Sequence, residues 1–134
     1  MKFRGKDVDS GEWRNGSLVT YPNGRCEIVV FDDSEILEYE VDVESVGQFT
    51  GLHDKNGKEI YEGDIVVQYW GFPHYRNGVY YDCNARIGSV VFHHSSSFLL
   101  LSGGNLYRLL GDGLTQEVQG NIHDNPNLLT DGRD

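Results

Sequence analysis

The sequence predicts an all-β fold of antiparallel strands with at most short helical turns, and three observations lead there. Seventeen glycines stand against three prolines in 134 residues, with aromatic and β-branched residues spread throughout. That is the composition of many short strands joined by tight turns. Four Asn-Gly pairs, at Asn15-Gly16, Asn23-Gly24, Asn56-Gly57 and Asn77-Gly78, are each flanked by residues of strand character. Both residue types tolerate positive φ, which a two-residue type I′ turn demands at its central positions, so all four read as hairpin tips. Finally, Glu38-Tyr39-Glu40-Val41-Asp42-Val43-Glu44 alternates without a break. A side-chain period of two then puts Tyr39, Val41 and Val43 on a core face and the carboxylates outside.

Taken in order, Ser17 to Tyr21, Arg25 to Phe31, Ile36 to Val43 and Val46 to Thr50 are expected as consecutive strands of an antiparallel meander. The charged tip Asp54-Lys55-Asn56-Gly57 is a hairpin that runs into an apolar strand. Gly63-Asp64-Ile65-Val66-Val67-Gln68-Tyr69-Trp70 reads as a strand entered through a glycine bend, a pattern frequent at the start of small SH3-like barrels, and opens a second module. Gly71 to Asn84 is a long excursion folded around Asn77-Gly78. Arg86 to His93, Ser97 to Leu101, Leu106 to Leu110 and Glu117 to His123 complete the strands, with turns at Gly103-Gly104-Asn105 and Gly111-Asp112-Gly113. Asn125 and Pro126 fit the cap and first position of one helical turn, whose leucines would plug a barrel end. The polar residues Thr130 to Asp134 are expected to be disordered. The organisation expected is one domain over 1–134, with two β subdomains at about 1–50 and 51–129.

A chain of this length can bury roughly two-thirds of the surface its unfolded form exposes. Eleven basic residues against 21 acidic ones give a net charge of −10, which opposes approach to phosphates or an anionic membrane and argues against direct nucleic-acid binding. Lys2, Arg4 and Lys6 form the one basic cluster, expected to be solvated. No window approaches about eighteen consecutive apolar residues, and the N-terminus lacks the apolar run of a secretory signal, so the expected location is the cytoplasm. Cys26 and Cys83 lie far apart without CxxC spacing, which favours free thiols over a disulfide framework.

Several constellations in the chain invite a chemical reading. With Gly57 at the sixth position of a calcium loop, the first ligand would be Leu52 and the last would be Gly63, where a bidentate Glu belongs, so the hairpin reading stands. His93 and His94 are neighbours that point to opposite faces of a strand and cannot share a metal without a bend. His53 and His123, beside Asp54 and Asp124, could meet in three dimensions as a metal or small-ligand site; alternatively each satisfies a turn hydrogen bond. Cys26, Cys83 and Ser95-Ser96-Ser97 are the candidate nucleophiles, but neither a GxSxG elbow nor a phosphate cradle accompanies them. No catalytic residue, cofactor or metal ligand is assigned, and the chain is read as not an enzyme. Trp70, Phe72, Tyr75, Tyr80 and Tyr81 near a barrel mouth have few cations beside them beyond Arg76 and Arg86, which favours protein contact or self-association over stacking on nucleic acid. Glu38, Glu40, Asp42 and Glu44 make an acidic face that could bind a basic surface or a divalent ion, or mimic a nucleic acid; the other reading is a solvated ladder guarding an edge strand.

Two stretches carry a family likeness: Thr50-Gly51-Leu52-His53-Asp54-Lys55-Asn56-Gly57-Lys58-Glu59-Ile60-Tyr61-Glu62-Gly63-Asp64-Ile65-Val66, and Gly120-Asn121-Ile122-His123-Asp124-Asn125-Pro126. With Lys2-Phe3-Arg4-Gly5-Lys6, Gly11-Glu12-Trp13 and Val46-Gly47-Gln48-Phe49-Thr50, the chain resembles the YopX family over nearly its whole length, Gln68 to Ala85 excepted. The resemblance implies small SH3-type barrels and a phage or prophage protein acting in a bacterial host. It brings no catalytic residues. The expected role is an accessory protein that assembles with itself or binds a host or phage protein.

Overall fold

The computed structural model describes residues 2–71, 74–81, 84–109 and 115–129. Those residues are antiparallel β throughout, broken by two 3-10 turns. The chain divides into two compact units, Met1–Thr50 and Gly51–Asp134.

The first unit contains β1 (Phe3–Lys6), β2 (Trp13–Thr20), β3 (Cys26–Asp32) and β4 (Glu35–Val41), and takes in the start of β5 (Gly47–His53). The strand order is β4-β3-β2-β1-β5, which corrects the expected meander: β5 lies beside β1, not beside β4. Phe3 stands opposite both Gly16 and Gln48, so the N-terminal segment is a central strand. The Lys2-Arg4-Lys6 cluster alternates with Phe3 and Gly5, and that alternation is the strand signal. Arg4 is 8% exposed and not solvated as expected. Its guanidinium sits 4.7 Å from the Trp13 ring centroid, and the Lys6 ammonium lies 6.0 Å from the same ring. Their stems cover apolar surface while the charges rest on the ring face.

The core of this unit is Cys26, Ile28 and Val41, with Phe3, Leu18, Val30 and Val46 packed against it. Cross-strand partners Leu18 with Ile28 and Cys26 with Val41 place these side chains on one face. The alternation stops at Val41, however. The Asp42 carboxylate accepts the Glu44 N–H at 3.1 Å and starts a 3-10 turn over Val43–Ser45. Val43, expected in the core, is 52% exposed. An Asx-type bond to the backbone competes with the strand ladder, and here it wins.

The Asn-Gly pairs have three different fates. Asn15-Gly16 is no hairpin tip but lies inside β2, where a side chain on Gly16 would collide with the Val29 carbonyl. At Asn23-Gly24 and Asn56-Gly57 the glycine alone adopts positive φ, 90° and 83°. The Tyr21 and Asp54 N–H groups donate to Arg25 and Lys58 oxygens across these loops. That geometry is a type I turn followed by a left-handed glycine. Asn77-Gly78, with φ of 53° and 78°, has the expected type I′ signs. The connection expected between His93 and Ser97 is a two-residue tip without glycine: His94 and Ser95, at φ 52° and 67°, join the paired residues His93 and Ser96.

The second unit contains β6 (Glu59–Tyr61), β7 (Asp64–Trp70), β8 (His74–Arg76), β9 (Val79–Tyr81), β10 (Asn84–His93), β11 (Ser96–Leu100), β12 (Leu106–Arg108) and β13 (Gln116–Asn121). One sheet runs β12-β11-β10-β7-β13, and β8-β9 forms a separate ribbon. Glycine does bend the chain into β7: Gly63 has φ 93°, its N–H donates to the Val90 oxygen at 2.9 Å, and its oxygen accepts the Ile122 N–H at 2.9 Å. Ile60, Val66, Val90 and Leu99 form the core, with Leu52, Leu101, Leu109 and Val118 around it. The antiparallel all-β class holds. The expected SH3-like closure does not, because β12 and β13 end at opposite edges of an open ladder among the described residues.

The last strand ends at Asn121, short of the expected His123. The Asn121 side-chain oxygen accepts the His123 and Asp124 N–H groups at 3.0 and 2.8 Å and turns the chain. Pro126–Leu128 is a 3-10 turn, but Asn125 does not cap it with its side chain. Its Oδ1 instead accepts the Asn121 N–H at 3.2 Å. Phe72, Cys83, the Tyr81 side chain, Leu110, the Gly111-Asp112-Gly113 turn and the tail 130–134 lie outside the described residues. No helix among the described residues is long and apolar enough to cross a membrane.

Candidate functional site

Polar side chains collect in the second unit at the end of the β7–β10 ladder. Gln68 lies opposite Arg86 on one side and Gln116 on the other. Gln68 and Gln116 are 1% and 0% exposed, so their amides need partners. Gln68 Nε2 donates to the Arg108 oxygen at 3.0 Å, and its Oε1 accepts Arg86 Nε at 2.9 Å. The Arg86 guanidinium lies 3.7 Å from the Tyr107 ring centroid and 4.8 Å from that of Trp70. A planar cation is thereby clamped between two π faces while its edge is hydrogen-bonded, a task Arg performs and Lys cannot.

From this clamp the chain opens outward. Trp70, at the end of β7, is 45% exposed. The β8–β9 ribbon is inserted between β7 and β10, and its Tyr75 and Tyr80 face each other across the ladder. Their ring centroids are 5.1 Å apart at 60°, an edge-to-face pair. Tyr75 is 74% exposed, Tyr80 52% and Val79 51%. Apolar and aromatic area is therefore presented on a small ribbon whose turn is pre-set by Asn77-Gly78.

A groove of about 600 Å³ borders the clamp, lined by Arg86 together with Val67, Tyr69, Ile87, Leu128 and Leu129. The two leucines, expected to plug a barrel end, line this groove.

His53 ends β5 and is half-buried; His123 sits exposed in the turn after β13. The acids beside them are engaged. Asp54 Oδ1 accepts the Asn56 and Lys58 N–H groups at 2.9 Å each, and Oδ2 accepts that of Val118 at 3.0 Å. Burial pushes the Asp54 pKa up, but the Val118, Lys58 and Asn56 donors outweigh it and hold it below the usual carboxylate value. Asp124 Oδ2 accepts Asn121 Nδ2 at 3.3 Å. His93 and His94 do come together, with ring centroids 4.2 Å apart, because the chain turns at His94; both are exposed. This corrects the expectation of opposite faces. No group of three or more His, Cys, Asp or Glu among the described residues could hold a metal ion.

Cys26 is a buried free thiol in the core of the first unit, with the Thr20 hydroxyl and the Gly24 carbonyl 3.9 Å away. Ser96 and Ser97 belong to β11 and Ser95 to the preceding turn. The acidic face shrinks to Glu38 and Glu40, since Asp42 and Glu44 leave the strand. Sequence reasoning named Arg86 and Trp70 but missed Gln68, Gln116 and Tyr107. The available signal was an amide at position 68 inside the apolar run Ile65 to Trp70, on the same face as Val66.

A family model described as YopX protein matches residues 2–130, nearly the whole chain. No curated protein matches the sequence.

Proposed function

We propose that this chain, which belongs to the YopX family, is a non-enzymatic phage or prophage accessory protein that self-assembles or binds a host or phage protein in the bacterial cytoplasm. The observation that carries this reading is the β8–β9 ribbon with its exposed Tyr75, Val79 and Tyr80. Aromatic side chains supply large contact area at low entropic cost, and contacts of this kind dominate protein interfaces. The Arg86 clamp supports it by fixing Trp70 next to the root of the ribbon. A net charge of −10 disfavours nucleic acid as the partner. The rival reading, a metal or small-ligand enzyme built on His53 and His123, is weakened because Asp54 and Asp124 are already committed to turns.

Light scattering on the eluting protein tests the proposal. The expected mass exceeds the 15.1 kDa of one chain and falls to it in Tyr75→Ser/Tyr80→Ser, whose circular dichroism stays native. A wild type that runs as one chain at high concentration and retains no protein from bacterial lysate overturns it.

A further inference from the structure

In the first unit, β4 lies at the edge of the sheet, and its register shows which backbone groups face outward. The Val8 N–H donates to the Glu40 oxygen at 3.0 Å from the side away from β3. Hydrogen-bonding direction alternates along an antiparallel strand, so Ile36 and Glu38 also turn their N–H and C=O groups outward. Among the described residues nothing pairs with them there.

The side chains around this open edge are of two kinds. Phe31 and Ile36 are cross-strand partners, 69% and 62% exposed. In a non-hydrogen-bonded pair the two side chains approach closely and form one apolar patch. Around it stand Asp32, Asp33, Glu35 and Glu38, all exposed, and no Lys or Arg occurs between Arg25 and Lys55. Arg25 serves Glu40 at 3.3 Å and Glu27 at 3.7 Å, leaving Glu35 and Glu38 uncompensated. A shallow hollow of about 360 Å³ beside Phe31 is bounded by Lys2, Gly16, Ser17, Val29 and Val30, and Lys2, whose ammonium lies 5.2 Å from the Phe49 ring centroid, is the one cation lining it.

We propose that the outer edge of β4 is a docking strand for an extended segment of a partner protein with the pattern basic–apolar–apolar–basic. Such a segment adds a strand by bonding the backbone of Ile36 and Glu38. Its basic residues stand opposite Glu35 and Glu38, and its apolar residues lie against Ile36 with Phe31 and against Leu37. Charge decides between occupants. A second copy paired antiparallel through β4 with Glu38 across from Glu38 or Glu40 would set carboxylates directly opposite one another, and like charges across a ladder repel. The ring of acids thus blocks self-pairing of an exposed edge while selecting a cationic strand. This edge belongs to the first unit and the aromatic ribbon to the second, so either assignment can fail without the other.

The test uses full-length protein and a fluorescent peptide carrying Lys-Val-Val-Lys, with a Glu-Val-Val-Glu peptide as control. Anisotropy is expected to show binding of the lysine peptide about tenfold or more tighter than the control, and loss of about tenfold in Glu35→Lys/Glu38→Lys. Hydrogen exchange on the wild type removes any dependence on variant folding. The Ile36 and Glu38 amides gain protection when the lysine peptide is added, while those of Leu37 and Tyr39, already bonded to β3, do not change. The proposal is overturned by absence of binding, by equal binding of the two peptides, by unchanged affinity in the folded charge-reversed variant, or by protection that leaves Ile36 and Glu38 untouched.

Discussion

Asp54 Oδ2 accepts the backbone N–H of Val118 at 3.0 Å, joining a hairpin loop to a strand sixty-four residues further along. The other carboxylate oxygen closes the loop locally on Asn56 and Lys58. Lys55 extends the link, its N–H donating to the Gln116 oxygen at 2.9 Å. One buried acid therefore organises both the turn and its tertiary neighbour, which gives the charged signature a purely structural reason.

Asp54→Ala should cost about 3 kcal/mol of stability, because charge-assisted bonds are lost and backbone donors are left buried. Urea unfolding measures it. A loss under about 0.5 kcal/mol would show that the donors find water instead.

The same acid sets a pH dependence. Its folded pKa lies below the unfolded value of about 3.9, so its contribution is complete above that value and disappears as pH falls through the folded pKa. The stability gap between wild type and Asp54→Ala should be constant from about pH 5 to 8 and close progressively below about pH 4.

The His94-Ser95 tip holds two side-chain-bearing residues at positive φ. Replacing them by Asn-Gly should raise stability by about 1 kcal/mol, since left-handed conformation costs L-residues roughly that much. Thermal melting reads the gain directly, and a lower melting point would contradict it.

Gly88 sits where an added Cβ would lie 2.5 Å from the Leu100 oxygen and 3.0 Å from Leu99 Cγ. Both atoms are in the paired strand or the core and cannot retreat. Gly88→Ala should therefore cost about 2 kcal/mol, with a reduced urea midpoint and an unchanged slope.

Arg86→Lys keeps the charge but loses the planar fork. Gln68 Oε1 is left without its partner, and about 1–2 kcal/mol should be lost. In a Trp13→Phe background, the emission of Trp70 should shift, because the guanidinium above its ring is gone. Identical spectra would place no working contact between them.

Local signals in the chain were sufficient for much of the architecture. Composition, glycine punctuation and β-branched runs indicated an antiparallel all-β chain, and the strands around Ile28, Val66, Val90 and Leu99 fell close to where periodicity placed them. Gly63 bends the chain into β7 as read. These features depend on period two and on residues that tolerate positive φ, and both are properties of neighbouring residues.

What the sequence by itself determined, then, is the antiparallel all-β class, the acidic balance and the family. Tertiary structure decided everything that depends on distant partners. Asn15-Gly16 carries a turn signal but is held extended by Val29 across the ladder, and Phe3–Lys6 is a central strand because β2 and β5 both pair with it. Asp42 ended a perfect alternation by bonding a nearby amide. Likewise Gln68 became a buried hub only when Arg86, Arg108 and Gln116 arrived from other strands. Patterns of spacing report side-chain direction along one strand, whereas strand order and polar partnership are settled by which segments bury each other's surface and satisfy each other's hydrogen bonds.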